Sequence, residues 1–300
     1  MAAKMPPIRH LASASFRQWI DGLDAFLFDC DGVLWRGSAA IEGAKEAIQL
    51  LRSLGKKVVF VTNNSTKCRD TYVDKLAGQG ISATVSDIVT SASACAAYLR
   101  QHDVQGKVYV VGEAGLAAEV SAQGFENFGL EHNGKTEVPT PFVVDPAVGA
   151  VVIGLDRAIS YYKLSYAAVS ILTNPGCKFF ATNTDPTFPV DGAVLPGGGT
   201  CVAALATAVG REPDAVVGKP SQALLQTILS THNLDPARTC MVGDRLNTDI
   251  EFGRLGGLRT LLVLTGVTAP SEIEFIENEA QRPDFYVESI DVLNQLAKQQ

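Results

Sequence analysis

Residues 25–32 read Ala25-Phe26-Leu27-Phe28-Asp29-Cys30-Asp31-Gly32: four apolar residues that stop abruptly at two carboxylates and a turn glycine. An apolar run this short, bounded by turn chemistry, fits a strand buried on both faces, with the polar residues in the loop at its carboxyl end. A second run, Val58 to Thr62, ends the same way in Asn63-Asn64-Ser65. Between them Ala44, Ala47, Ile48, Leu51 and Leu54 recur at the period of an amphipathic helix, which Gly55 stops. Strand, helix and strand make a β-α-β unit, hence parallel strands and a right-handed crossover.

The alternation returns near the C-terminus. Ala215 to Val217 precedes Gly218-Lys219-Pro220, a helix is expected from Ser221, and Thr239 to Val242 precedes Gly243-Asp244. A helix around Asp249 to Leu255 then leads to a strand at Arg259 to Leu264. The middle has strands of its own at Lys107 to Val111, Gly149 to Ile153 and Lys178 to Thr182, with helical stretches at Gly115 to Ala122 and Tyr161 to Leu172. The expectation is an α/β protein with a doubly wound, Rossmann-like parallel-sheet core formed by residues 1–102 and 211–300, interrupted by an inserted α/β domain at 103–210.

Composition narrows the class of function. With 300 residues, 46% hydrophobic and 19% charged, the chain can bury a large core. A net charge of -7 without a long Lys/Arg cluster argues against nucleic acid or an anionic membrane as partner. No apolar stretch reaches the roughly 20 residues that span a bilayer, so a soluble protein is expected. The six cysteines are scattered without a C-x-x-C pair and are expected to be free thiols in a reducing compartment. Residues 1–20 carry Lys4, Arg9 and Arg17 and no acid before Asp21, the bias of an organellar transit peptide or its remnant, although a frayed tail fits equally.

In an open α/β sheet, ligands bind beyond the carboxyl ends of the strands. Four such ends here carry Asp29 with Asp31, Thr62 with Asn63, Lys219, and Asp244 with Asp249. Two carboxylates two residues apart can serve as nucleophile and as acid and base. An isolated D-x-D-G would as readily be an acidic turn. With Asp244 and Asp249 added, so many carboxylates can share a site only around a cation, and oxygen ligands suit Mg²⁺. An anion needs donors too: the Thr62 hydroxyl, the Asn63 backbone N–H and the Lys219 ammonium. Taken singly, Thr62 to Ser65 reads as a polar helix cap and Lys219 as a surface lysine.

In that order, Phe28-Asp29-Cys30-Asp31-Gly32-Val33, Val61 to Ser65, Gly218-Lys219-Pro220-Ser221 and Gly243-Asp244-Arg245-Leu246-Asn247-Thr248-Asp249 resemble the four motifs of haloacid dehalogenase superfamily phosphatases. The inserted domain resembles the large α/β cap of the subgroup with 4-nitrophenylphosphatases, pyridoxal phosphatases and phosphoglycolate phosphatases. Asn174 to Cys177, Ala181 to Asp185, Pro196 to Thr200 and Thr260 to Thr268 look closest to the plant and algal phosphoglycolate phosphatases.

The resemblance implies a Mg²⁺-dependent hydrolase acting on a small phosphate ester, with 2-phosphoglycolate as substrate. It implies that Asp29 is the nucleophile, Asp31 the acid and base, and Lys219 a catalytic cation. Asp29, the backbone carbonyl of Asp31, and Asp244 would hold the metal, with Asp249 as a ligand through water or an orienting group. Thr62, Asn63 and Asn64 from the core, and Asn183, Asp185 and Phe188 from the cap, would bind substrate. Pyridoxal phosphatases have a His where Phe188 stands, so pyridoxal phosphate is expected to be a poor substrate; Phe188 also fits ordinary cap core. Arg157 is a candidate for the substrate carboxylate, with a surface arginine as the alternative. A homodimer joined through the cap is expected, in chloroplast stroma or alternatively cytosol. The competing readings are a broad small-molecule phosphatase and a binding module that has lost its chemistry. His10, His102, His132 and His232 lie near no motif and are expected to be solvated. Gly197-Gly198-Gly199 lacks the context of a dinucleotide fingerprint, so no nicotinamide cofactor is expected.

Overall fold

The structure is a computed structural model that describes residues 8–190 and 193–299. Seven parallel strands form the larger sheet, in the order Arg9–His10, Phe285–Val287, Arg259–Val263, Thr239–Gly243, Ala25–Phe28, Lys57–Thr62, Ile88–Thr90. Side chains alternate across it with the period of two that a strand imposes. Phe26, Phe28 and Phe60 pack with Ile48 and Leu51 of the helix Ala44–Ser53 on one face. Leu27, Val59 and Val61 pack with Leu225 and Ile228 of the helix Gln222–His232 on the other. Helices on both faces explain why the central strands are apolar at almost every position.

Register places the chemistry at one edge. Phe28 pairs with both Val242 and Phe60, so Asp29, Asp244 and Thr62 follow at neighbouring strand ends. The Asp29 N–H donates to the Val242 carbonyl at 2.9 Å, which fixes the height of the loop above the sheet.

The smaller sheet holds five parallel strands, in the order Ala215–Val216, Lys178–Ala181, Val148–Ile153, Lys107–Val111, Asn127–Phe128. Its extent departs from the expected boundaries at 102 and 210. Helix Ser91–Gln101 lays Ala92, Cys95, Ala96 and Leu99 on Val108, Val110 and Val152 of this sheet, and Ala215–Val216 pairs with Phe180 and Ala181 instead of joining the core. The inserted unit therefore begins at about Ser91 and closes at Val217. The helix Ala114–Ala122 of the inserted unit is tied to the core: the Arg69 guanidinium donates to Glu119 at 2.9 Å, and Gly115 N–H donates to the Thr66 carbonyl.

Two further expectations change. Residues 8–20 are neither leader nor tail: Arg9–His10 pairs with Phe285 and Tyr286, and helix Ser13–Asp21 buries Phe16, Trp19 and Ile20 in the core. Residues 1–7 lie outside the described residues. His132 is buried instead of solvated, its Nδ1 2.9 Å from the Tyr109 hydroxyl among Phe128, Tyr162 and Tyr166, and burial holds it below the usual imidazole range. None of the six cysteines is in a disulfide, and among the described residues no helix is long and apolar enough to cross a membrane.

Candidate active site

Lys219 is the hub of the strand ends. It follows the last strand of the inserted unit, and its Nζ donates to Asp29 Oδ1 at 2.6 Å, to Asp249 Oδ1 at 2.6 Å and to the Val61 carbonyl at 2.7 Å. The Asn63 side chain holds the lysine backbone, accepting from Lys219 N–H at 2.8 Å and donating to the Lys219 carbonyl at 3.0 Å. Asp249 braces its own loop, since Oδ2 accepts from the N–H groups of Asp244 (3.2 Å) and Arg245 (3.1 Å).

Asp29, Asp244 and Asp249 are all buried and present carboxylate oxygens within 4.8 Å of one another. Burial lifts Asp29 well above the usual carboxylate range; Lys219 opposes this, and Asp249 and Asp244 add to it. Burial and then the charge of Asp249 push Asp244 up to about 7. Burial penalises the Lys219 ammonium, yet Asp249 and Asp29 hold it well above the ordinary lysine range. Three carboxylates against one ammonium leave surplus negative charge, which protons remove at low pH and a cation removes at neutral pH. An all-oxygen donor set around buried carboxylates fits a hard divalent ion such as Mg²⁺.

Glycines give Asp244 its room. A Cβ on Gly266 would stand 1.8 Å from Asp244 Oδ2, and one on Gly32, whose φ is +89°, would stand 2.5 Å from the same atom. The carboxylate is further fixed by the Val267 N–H, which donates to Oδ2 at 2.6 Å.

Asp31 brings no carboxylate to the acidic cluster. Its Oδ1 accepts from Trp35 Nε1 at 2.8 Å and lies 3.9 Å from Lys75 Nζ, and its side chain is 41% exposed. It lines a cavity of about 330 Å³ together with Asp29, Lys219 and Thr62. The separation suits two roles: a buried, lysine-bound carboxylate and a wetter, part-exposed one.

The predicted substrate residues divide. Thr62 Oγ1 accepts from the Asn64 N–H at 3.1 Å, and the hydroxyl also meets the Tyr72 side chain. Asn64 and Asn183 line the cavity but are partly spent: Asn64 Oδ1 accepts from Thr66, while Asn183 donates to the Asn63 carbonyl at 2.8 Å and accepts from the Asp185 N–H. Asp185 accepts from Asn63 Nδ2 at 3.2 Å, and burial lifts it above the usual range against Arg245 and Asn63. Phe188 reaches the cavity from a two-stranded ribbon, Thr187–Val190 against Ala193–Pro196, so it is a wall and not cap core. Arg157 also lines the cavity, with its guanidinium bound to Glu113 at 2.6 and 2.7 Å. A buried ion pair, Lys163 with Asp156 at 2.5 Å, anchors the loop that carries Leu155 and Arg157 there.

Arg245 was not among the predicted residues. It lines the cavity and its Nη2 donates to the Thr187 carbonyl at 3.0 Å, joining core to ribbon. Its place beside Asp244 in the fourth motif was the available signal.

The model of the family "Haloacid dehalogenase-like hydrolase" matches residues 26–126, and a related hydrolase model matches residues 216–293. The chain belongs to the haloacid dehalogenase-like hydrolases. This hydrolase is 45% identical over 280 residues to phosphoglycolate phosphatase 1A, chloroplastic, of Arabidopsis thaliana, covering 91% of this chain and 77% of that one. It is 42% identical over 294 residues to the 4-nitrophenylphosphatase of Schizosaccharomyces pombe, covering 94% and 97%. A solved glycerol phosphate phosphatase of Mycobacterium tuberculosis in complex with magnesium superposes with a TM-score of 0.77 at 33% identity, covering 92% of this chain and 77% of that one. The protein is a haloacid dehalogenase-type phosphatase with an α/β fold.

Proposed function

We propose that this phosphatase hydrolyses 2-phosphoglycolate to glycolate and phosphate, through an aspartyl-phosphate (an acyl phosphate) on Asp29. The observation that carries the chemistry is the pairing of Asp29, bound through Oδ1 to Lys219, with an independent carboxylate on Asp31 in the same cavity. Among the described residues Asp29 Oδ2 takes no hydrogen bond, so one oxygen is free to attack phosphorus. As the new P–O bond forms, the bond to the glycolate oxygen breaks and Asp31 delivers its proton to that oxygen. Asp31, now a carboxylate, takes a proton from water; the water oxygen attacks phosphorus, phosphate leaves and Asp29 is restored. Lys219 and the Thr62 hydroxyl supply donors for the phosphoryl oxygens as charge spreads over them. Mg²⁺ would be held by Asp29, Asp244 and the Asp31 carbonyl, with Asp249 orienting, and when bound would neutralise the carboxylates and polarise the phosphoryl group.

The 45% identity to a protein named for it supports the small acid as substrate, and Phe188, which stands in the cavity wall, is the residue through which pyridoxal phosphate is expected to be disfavoured. The 42% identity to a 4-nitrophenylphosphatase favours a second reading, the same chemistry with broad specificity. Purified protein is to be assayed with 2-phosphoglycolate, glycerol 3-phosphate, pyridoxal phosphate and 4-nitrophenyl phosphate, with and without Mg²⁺. Highest kcat/KM for 2-phosphoglycolate, dependent on Mg²⁺, is expected; comparable values for all four establish the second reading.

Residence in chloroplast stroma is supported by the name of a chloroplastic relative alone, because residues 8–20 are built into the fold. A cytosolic signal from the tagged protein would overturn it. Dimerisation through the cap is supported by the exposed Val194 and Leu195 on the ribbon, and sedimentation as a monomer would remove it.

A further inference from the structure

Asp31 is held by two side chains whose part in the chemistry no motif states. Trp35 is fully buried, and its backbone is tied into the turn that Asp31 begins: Gly32 N–H donates to the Trp35 carbonyl at 2.7 Å and Trp35 N–H to the Cys30 carbonyl at 3.3 Å. The Tyr72 ring packs beside the indole at a centroid distance of 6.2 Å. The indole has one polar atom, a donor, and it gives that hydrogen bond to Asp31 Oδ1. Lys75, from the helix Arg69–Gly78, completes the arrangement. Its Nζ stands 3.9 Å from the Trp35 ring centroid and 3.9 Å from the same Oδ1.

We infer that Trp35 and Lys75 are positioning residues for Asp31, and that by occupying Oδ1 they confine the proton it transfers to Oδ2. A donor-only N–H and an ammonium both face Oδ1, so that oxygen cannot also carry hydrogen toward either of them. The carboxyl then has one orientation in which to meet the ester oxygen, where a freely rotating acid would have many. Such preorientation is the part of general acid catalysis that geometry supplies. The inference rests on Asp31 being the acid of the reaction.

Leaving-group dependence tests it. An alkoxide departs only with a proton, whereas 4-nitrophenolate departs without one, and kcat/KM reports the steps up to loss of that group. Trp35→Phe keeps the ring and removes the N–H; Lys75→Met keeps the stem and removes the charge. Each is compared with the wild type on 2-phosphoglycolate and on 4-nitrophenyl phosphate, with Asp31→Asn as reference. Trp35→Phe is expected to lower kcat/KM for the alkyl ester at least tenfold further than for the aryl ester. Lys75→Met is expected to show the same bias, and Lys75→Arg to restore it. A merely structural role lowers both esters by one factor, and that result overturns the inference. Should Trp35→Phe fail to fold, Lys75→Met and its arginine rescue decide alone, because the Lys75 side chain is part-exposed where Trp35 is fully buried. If Asp31→Asn itself shows no bias, the acid assignment falls and the inference with it; if Asp31→Asn is biased and the other variants are not, the inference alone falls.

Discussion

Replacing Lys219 by Met isolates the electrostatic logic of the site. The ammonium sits between Asp29 and Asp249 at 2.6 Å from each, with only 2% of its side chain exposed, so its removal leaves buried carboxylates uncompensated. Breaking a buried pair from one side costs about 3–5 kcal/mol when the remaining charge stays ionised. The loss must depend on pH. Burial already raises Asp29, and without Lys219 its folded pKa rises further above the unfolded value, so the stability that remains is present at low pH and is lost as pH rises through the folded value. At about pH 5, below the value of about 7 to which Asp244 is pushed and with Asp29 raised in the same direction, the variant meets less uncompensated charge and loses about 1–3 kcal/mol. At about pH 8 the full penalty appears, a fall in Tm of roughly 6–20 °C at about 2–4 °C per kcal/mol. Thermal unfolding of both proteins in metal-free buffer at the two pH values reads this directly. An equal loss at both would refute the charge balance drawn from the cluster. Activity at saturating Mg²⁺ is expected to fall by about 10²–10³, the usual effect of losing one preorganised donor.

Other outcomes follow from the same geometry. Asp244 is held up to about 7, so a proton must leave before a cation binds; Mg²⁺ affinity by calorimetry should climb as pH rises through about 7 and then level, and a flat profile would count against the acidic cluster as the metal site. In Gly266→Ala the new Cβ falls 1.8 Å from Asp244 Oδ2, which should cost about 1–3 kcal/mol and at least tenfold in Mg²⁺ affinity; unchanged affinity would show that Asp244 has room to spare. Phe188→His should raise kcat/KM for pyridoxal phosphate relative to 2-phosphoglycolate, and an unchanged ratio would remove Phe188 from specificity.

The core site was legible because its residues follow strand ends, and strand ends are legible. Asp29, Thr62 and Asp244 each terminate an apolar run, and Lys219 carries a motif of its own. The boundary of the cap was not. Helix Ser91–Gln101 offers mostly Ala, Ser and Cys, whose weak pattern does not say which of two sheets it will cover, and Ala215–Val216 is too short to declare its partner. The first turn of the fold was misread for a similar reason: Arg9, Arg17 and the absent acids outweighed Phe16, Trp19 and Ile20, which are the core face of a helix. His132 carried no signal, since its neighbours Tyr109 and Tyr166 arrive from distant strands and helices. Trp35 and Lys75 were invisible because what they do is defined by where Asp31 points.

The central claim is that Asp29 becomes phosphorylated during turnover. Enzyme mixed with substrate labelled in the phosphoryl group, acid-quenched within the first turnovers and digested, should yield one labelled peptide containing Asp29, while Asp29→Asn yields none and releases no phosphate. Steady release of phosphate without label ever entering the protein, or label on any other residue, would contradict it.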